Sequence, residues 1–209
     1  MEILHIHPKN PQIRFINRAV DVLRNGGIIV YPTDTVYGLG CDIYHKNAIE
    51  KIYHIKPNLD EDKPLSFICA DLKDISTYAK VSTQVYRLLK YALPGPYTFI
   101  LPAAKEVPKK LWSKRKSVGI RVPDNTIAQL LAKELGHPIV STSVTDEQGN
   151  ILNNEQEILK HYKNKVDLIL YSGPLGLIPS TIIDFSGEEP EIIREGAGTI
   201  EFLDVREIE

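Results

Sequence analysis

Residues 31–40 read YPTDTVYGLG and follow directly on the apolar run Ile28, Ile29 and Val30. Ile28 to Tyr31 reads as a short, continuously apolar strand, the kind found in a sheet covered on both faces. The next residues put Thr33, Asp34 and Thr35 at the end of that strand, beside Gly38, Leu39 and Gly40. Strand ends are where ligands gather in such sheets. A buried strand that runs out into hydroxyls, a carboxylate and glycines therefore sets both the fold class and the place to look for chemistry.

Working outward, the same alternation of apolar strand and helical spacing recurs. Asn10 and Pro11 predict a helix start, with Asn as N-cap and Pro at the first helical position. Ile13, Ile16, Val20 and Leu23 follow at helical spacing, and Gly26 and Gly27 end the run. Ala48, Ile49, Ile52, Tyr53 and Ile55 mark a second helix, and Leu65 to Cys69 a second buried strand. Val85, Leu88 and Leu89 lie on a third helix that stops before Pro94, Gly95 and Pro96. Thr98 to Leu101 and Val118 to Val122 read as strands. Asp124 is read as the cap of a fourth helix carrying Ile127, Leu130, Leu131 and Leu135 and closed by Gly136. Ile139 to Ser141, Leu168 to Tyr171, Ser180 to Asp184 and Glu191 to Arg194 complete the strands. Some strands are separated by helices and the last few are not, so the pattern predicts a mixed, partly parallel α/β sheet in one domain over residues 1–209.

The 209 residues are 43% hydrophobic and 25% charged, with a formal net charge of −2, which is ordinary globular composition. That balance argues against a protein that lives by coating nucleic acid. Cys41 and Cys69 form no CxxC pair, so the expectation is a reducing, cytoplasmic setting without a disulfide framework. The N-terminus lacks a signal-peptide pattern, and no apolar run spans a bilayer.

Four polar clusters sit at or beside strand ends: Thr33 to Gly38, Ser141 to Thr145, Pro179 to Thr181, and the arginines Arg121 and Arg194. Arginine beside apolar strand residues is costly to desolvate unless something anionic pairs with it. An internal Asp or Glu meets that need, and so does a phosphate or carboxylate ligand. A single Ser/Thr cluster after a strand is explained by local turn bonding. Three such clusters plus two arginines point to a polar pocket for an anionic ligand. No Walker motif or GxGxxG is present, and the six histidines lack metal-ligand spacing. KEVPKKLWSKRK, residues 105–116, interleaves six basic residues with Trp112. It fits either a phosphate backbone with stacking or a solvated lysine-rich loop with a buried tryptophan.

The series YPTDTVYGLG, PGPYTFIL, VGIRVP, PIVSTS, STIID and IIREG, in this order, resembles the YrdC/YciO family over nearly the whole chain, from the first helix to Arg194. The resemblance implies a twisted sheet with flanking helices around a deep, positively charged cavity. It further implies synthesis of L-threonylcarbamoyladenylate from ATP, L-threonine and bicarbonate, with Mg²⁺ and release of pyrophosphate, for the threonylcarbamoyl modification of tRNA adenosine. An alternative within the same family is a tRNA- or double-stranded-RNA-binding protein without efficient turnover. By the resemblance, Lys56, Lys63 and Arg121 are catalytic, Thr35, Arg121, Ser141 and Ser180 bind substrate, and Ser143, Thr145 and Arg194 bind the nucleotide. No residue is assigned as a metal ligand. Two departures stand out. The family's K-x-R reads Lys56-Pro57-Asn58, and its S-x-N reads Ser143-Val144-Thr145. They place the chain nearer the YciO branch and predict slow turnover.

Overall fold

The computed structural model describes residues 1–57, 59, 65–108, 111 and 116–203. Lys63 and Asn58, and Lys109, Lys110, Trp112, Lys114 and Arg115 of the basic segment, lie outside the described residues. The strands are β1 (Glu2–His5), β2 (Ile28–Tyr31), β3 (Gly38–Asp42), β4 (Ser66–Ile68), β5 (Tyr97–Pro102), β6 (Ser117–Arg121), β7 (Ile139–Ser143), β8 (Leu168–Tyr171), β9 (Thr181–Asp184) and β10 (Glu191–Arg194). The helices are α1 (Ile13–Arg24), α2 (Lys46–Ile55), α3 (Ile75–Tyr78), α4 (Thr83–Ala92), α5 (Thr126–Leu135) and α6 (Glu155–Tyr162). The strands form one sheet in the order β1-β8-β2-β3-β7-β4-β6-β5-β9-β10. Its pairings are mixed: β2 is parallel to β8 and antiparallel to β3, while β5 is antiparallel to β6 and parallel to β9.

Because side chains alternate along a strand, the two sheet faces can be followed separately. One face carries Val30, Leu39, Cys41, Phe67, Phe99, Ile120 and Val140 into a large core with Ile49 and Ile52 of α2, Leu89 of α4 and Ile158 of α6. The other carries Ile29, Tyr31, Ile68 and Ile139 into a smaller core against α1 and α5. That second cover is incomplete. Continuing along the same face, β7 presents Ser141 and Ser143, β4 presents Ser66, and β6 presents Arg121. The registers Ile68↔Arg121, Thr98↔Ile182 and Ile182↔Arg194 carry the row on to β10. The polar residues gather where α1 and α5 leave the sheet uncovered.

The opening stretch resolves differently from its sequence reading. Gly38, Leu39 and Gly40 continue into a strand, β3, which pairs antiparallel with both β2 and β7. Leu39 and Cys41 point into the large core, and the two glycines lie on the opposite face. A Cβ on Gly38 would lie 2.9 Å from Tyr31 Cζ, and one on Gly40 would lie 2.9 Å from Tyr31 Cε1 and 2.7 Å from Ile139 Cγ2. The glycines let the Tyr31 ring lie across β3 and donate a 2.6 Å hydrogen bond to Ser141 Oγ on β7. Alternate glycine in a strand marks such a close approach.

Two helix caps also differ from expectation. α1 starts at Ile13 with Gln12 as N-cap. Asn10, read as its cap, instead closes a bend in which His7 Nδ1 accepts from the Lys9 and Asn10 amides. Asn125, not Asp124, caps α5, accepting from the Ala128 amide at 3.1 Å. The Asp124 amide donates to Asp34 instead. Gly136 closes α5 with φ of 87°, as its sequence position predicts.

Candidate functional site

Two adjoining cavities occupy the polar part of the sheet face. The first, about 290 Å³, is lined by Ser66, Thr98, Arg121, Ser141, Ser180 and Arg194 among others. The second, about 320 Å³, is lined by Lys56, Thr145, Asp146, His161, Tyr162 and Lys165. Leu59, Thr142, Ser143 and Arg194 line both. Among the described residues no helix is long and apolar enough to cross a membrane.

Arg121, at the end of β6, is 7% exposed. Its Nη2 donates to Asp34 Oδ1 at 2.5 Å, Thr35 Oγ1 at 2.7 Å and Thr33 Oγ1 at 3.2 Å. The internal carboxylate that its burial demanded is therefore Asp34, from the loop between β2 and β3. Its Nε is buried without a hydrogen-bond partner. A buried unpaired donor costs about 1–3 kcal/mol, more on a charged group. Thr33 Oγ1 also donates to the Val36 carbonyl at 2.6 Å and accepts from the Thr35 amide, so local turn bonding and the arginine share this hydroxyl.

Arg194 ends β10 on the other side of the first cavity. Its Nε and Nη2 donate to the Ser180 carbonyl at 3.1 and 2.8 Å. Ser180 Oγ, 2.9 Å from Thr98 Oγ1, also accepts from Arg194 Nη2 at 3.3 Å. Burial lowers the Arg194 pKa, and repulsion from Arg121 lowers it further. The two guanidinium groups therefore act on one space.

Lys56 is the C-cap of α2. Its Nζ donates to the Ser143 carbonyl at 3.2 Å and to Thr145 Oγ1. Burial pushes its pKa down to about 8, against the opposing pull of Asp146. Tyr162 of α6 holds Thr145 from both sides, accepting from its amide at 3.2 Å and donating to its carbonyl at 2.8 Å. Burial raises the Tyr162 pKa to about 12, so the phenol stays protonated and keeps that donor.

The sequence-predicted residues thus divide. Arg121, Ser141, Ser143, Ser180 and Arg194 line the first cavity, and Lys56, Ser143, Thr145 and Arg194 the second. Thr35 is buried behind Arg121 and does not line the cavity. The strand expected to end at Ser141 runs on to Ser143, so Ser141 and Ser143 both lie within β7 and the pleat points them at the ligand space. Sequence reasoning did not single out Tyr31, Ser66 or Thr98, and it placed Asp34 in a polar cluster without giving it a partner. Of these only Tyr31 had a usable sign, the G-x-G of β3, the strand between Tyr31 and Ser141. Among the described residues no group of three or more His, Cys, Asp or Glu is placed to hold a metal.

A model of the Sua5/YciO/YrdC family, described as "Telomere recombination", matches residues 21–196. An uncharacterized protein of Haemophilus influenzae is 46% identical over 201 residues, covering 95% of this chain and 97% of the relative. The crystal structure of E. coli YciO superposes with a TM-score of 0.91 at 44% identity, covering 96% of this chain and 98% of that one. The P. abyssi Sua5 structure complexed with L-threonine gives a TM-score of 0.88 at 26% identity, covering 97% of this chain and 60% of that one. The cavities described above therefore belong to a member of the Sua5/YciO/YrdC family.

Proposed function

We propose that this protein forms L-threonylcarbamoyladenylate from ATP, L-threonine and bicarbonate, releasing pyrophosphate, for the threonylcarbamoyl modification of tRNA adenosine. The observation that carries the reading is Arg121, buried in a hydroxyl-lined cavity with its Nε unpaired. A small amino acid suits that place, since its carboxylate satisfies the orphan donor and its hydroxyl and amine find Ser and Thr oxygens. A neighbouring structure of the family, P. abyssi Sua5, is complexed with L-threonine.

The second cavity suits the nucleotide phosphates, because Lys56 and Arg194 face it with backbone and hydroxyl partners already in place. In this reading a carbamate oxygen attacks the α-phosphorus at the boundary of the two cavities. Ser143 lines both there. Arg194 meets the charge that builds on the phosphoryl oxygens. Such catalysis is alignment plus cationic stabilisation. Mg²⁺ bound to the triphosphate would share its charge with Lys56 and Arg194. The departure at Thr145 predicts slow turnover, because a threonine hydroxyl replaces an orienting amide.

The test is pyrophosphate release measured with ATP, L-threonine and bicarbonate, each omitted in turn. Release that needs all three supports the reading. Release indifferent to threonine contradicts it.

A further inference from the structure

Asp34 is the buried partner of Arg121, yet it does not line the first cavity. Its two oxygens have separate tasks. Oδ1 takes the Arg121 guanidinium at 2.5 Å, and Oδ2 accepts the backbone N–H of Asp124 at 3.1 Å. The carboxylate thereby ties the loop after β2 to the segment between β6 and α5. Both side chains of the pair are about nine-tenths buried, 8% and 10% exposed. All the acceptors the guanidinium has in this loop converge on Nη2, which leaves Nε as a donor with no protein partner.

The charges make the same point. Arg121 and Arg194 share one cavity, and the Arg121 charge disfavours that of Arg194 there. Asp34 neutralises one of them from behind, away from the ligand space. We propose that Asp34 is a positioning residue that fixes the Arg121 guanidinium for carboxylate recognition, so that the Asp34–Arg121 pair sets the affinity of the first cavity for an amino acid. This rests on the proposed function for the identity of the amino acid, L-threonine.

Two effects oppose each other when Asp34 is changed. Removing its charge makes the cavity more positive, which favours any anion. Releasing the guanidinium costs the fixed fork that paired hydrogen bonds to a carboxylate need. Geometry wins here, because misplacing a binding group by about 1 Å costs on the order of a hundredfold. The charge gained is also shared with whatever anion the freed arginine finds.

The experiment uses the full chain and the variants Asp34→Ala, Asp34→Asn and Asp34→Glu. Calorimetry gives the affinities for L-threonine and for ATP. Without any ligand, peptide mass spectrometry follows the rate at which phenylglyoxal modifies Arg121. Asp34→Ala should weaken threonine binding about 30-fold and leave ATP within about threefold, with Asp34→Asn between it and native. Asp34→Glu should recover most of the threonine loss, and Arg121 should react faster in the Ala and Asn variants alone. Threonine binding that is unchanged or tighter in Asp34→Ala overturns the proposal. So does Arg121 reactivity that ignores Asp34. A native chain that binds no threonine defeats the proposed function instead, while the phenylglyoxal rates still decide whether Asp34 holds Arg121.

Discussion

The two cavities share a wall but are built in different ways. In the first, Ser66, Thr98, Arg121, Ser141 and Arg194 all project from strands of one sheet. Their positions follow from register, and Asp34 holds Arg121, Tyr31 holds Ser141, and Ser180 holds Thr98 and Arg194. In the second, Lys56 stands at a helix end, and Thr145 to Gly149 come from a turn in which Asp146 accepts from the Gln148 and Asn150 amides. A sheet-built pocket fixes a guanidinium against a chosen partner. A pocket assembled from a helix end and a turn presents a lysine whose pKa burial lowers to about 8. Under the proposed function, the difference separates selectivity for the amino acid in the first from tunable phosphate affinity in the second.

The largest effect should come from Arg121→Ala. It removes a buried charge-assisted donor, worth roughly 2–4 kcal/mol to a carboxylate, so threonine affinity should fall on the order of a hundredfold. ATP affinity should change by less than about fivefold, since Arg194 and Lys56 remain. Calorimetry with both ligands measures the split, and equal losses would erase the distinction between the cavities.

Next is Gly40→Ala, which tests how rigid the sheet-built wall is. The new methyl would meet Ile139 Cγ2 at 2.7 Å, Tyr31 Cε1 at 2.9 Å and the Val140 carbonyl at 3.1 Å. Overpacking of this kind costs about 1–3 kcal/mol. Urea denaturation should show that loss, and threonine affinity should fall with it as Tyr31 is pushed off Ser141. A fully stable variant would mean that the wall yields.

The second cavity should respond to pH. The Lys56 pKa is lowered from 10.5 to about 8, chiefly by burial. Its charge, and any phosphate affinity that depends on it, is therefore present below pH 8 and lost as pH rises through 8. Nucleotide affinity should fall by up to about tenfold between pH 7.5 and 9 in the native chain, and much less in Lys56→Gln. The stability sign runs the other way. The unfolded chain holds this proton up to about 10.5, so Lys56 contributes a gain in stability as pH rises from about 8 to 10.5. A flat affinity profile would remove Lys56 from the phosphate site.

Thr145→Asn should give the smallest change. Thr145 Oγ1 already accepts from Lys56 and donates to the Asp146 carbonyl at 3.1 Å, so the position is occupied by a working hydroxyl. The restored amide should speed single-turnover product formation by a few-fold, well short of the roughly hundredfold that one preorganised donor supplies. No gain would mean that Thr145 is already suited to its task in this chain.

These contrasts also mark what the sequence discloses. The continuous apolar runs of β2 and β8 and the periodic faces of α1 and α5 are legible because burial writes a repeated pattern. β3 is not, since the positions on the face opposite Leu39 and Cys41 are Gly38, Gly40 and Asp42, and only Leu39 and Cys41 carry the apolar period. α6 is eight residues long with Ile158 and Tyr162 as its buried pair, too short a repeat to read. At the site, the burial of Arg121 demanded an anion, and the sequence said so. It did not say that Asp34 would supply one, because a contact across 87 positions depends on how β6 lies against the loop after β2. The sequence pattern ends the strand at Ser141, because apolar residues stop at Val140 and hydroxyls follow. Only the pairing of β7 with β3 and β4 makes them a strand face.

The central claim is that the two cavities act on one reaction, and single-turnover incorporation of labelled bicarbonate tests it most directly. Enzyme in excess over ATP and L-threonine is mixed with the label, and the acid-quenched products are separated. The account predicts label in threonylcarbamoyladenylate, formed only when both ATP and L-threonine are present and lost in Arg121→Ala. Labelled adenylate formed without L-threonine, or ATP and threonine bound with no label incorporated by the native chain, would contradict it.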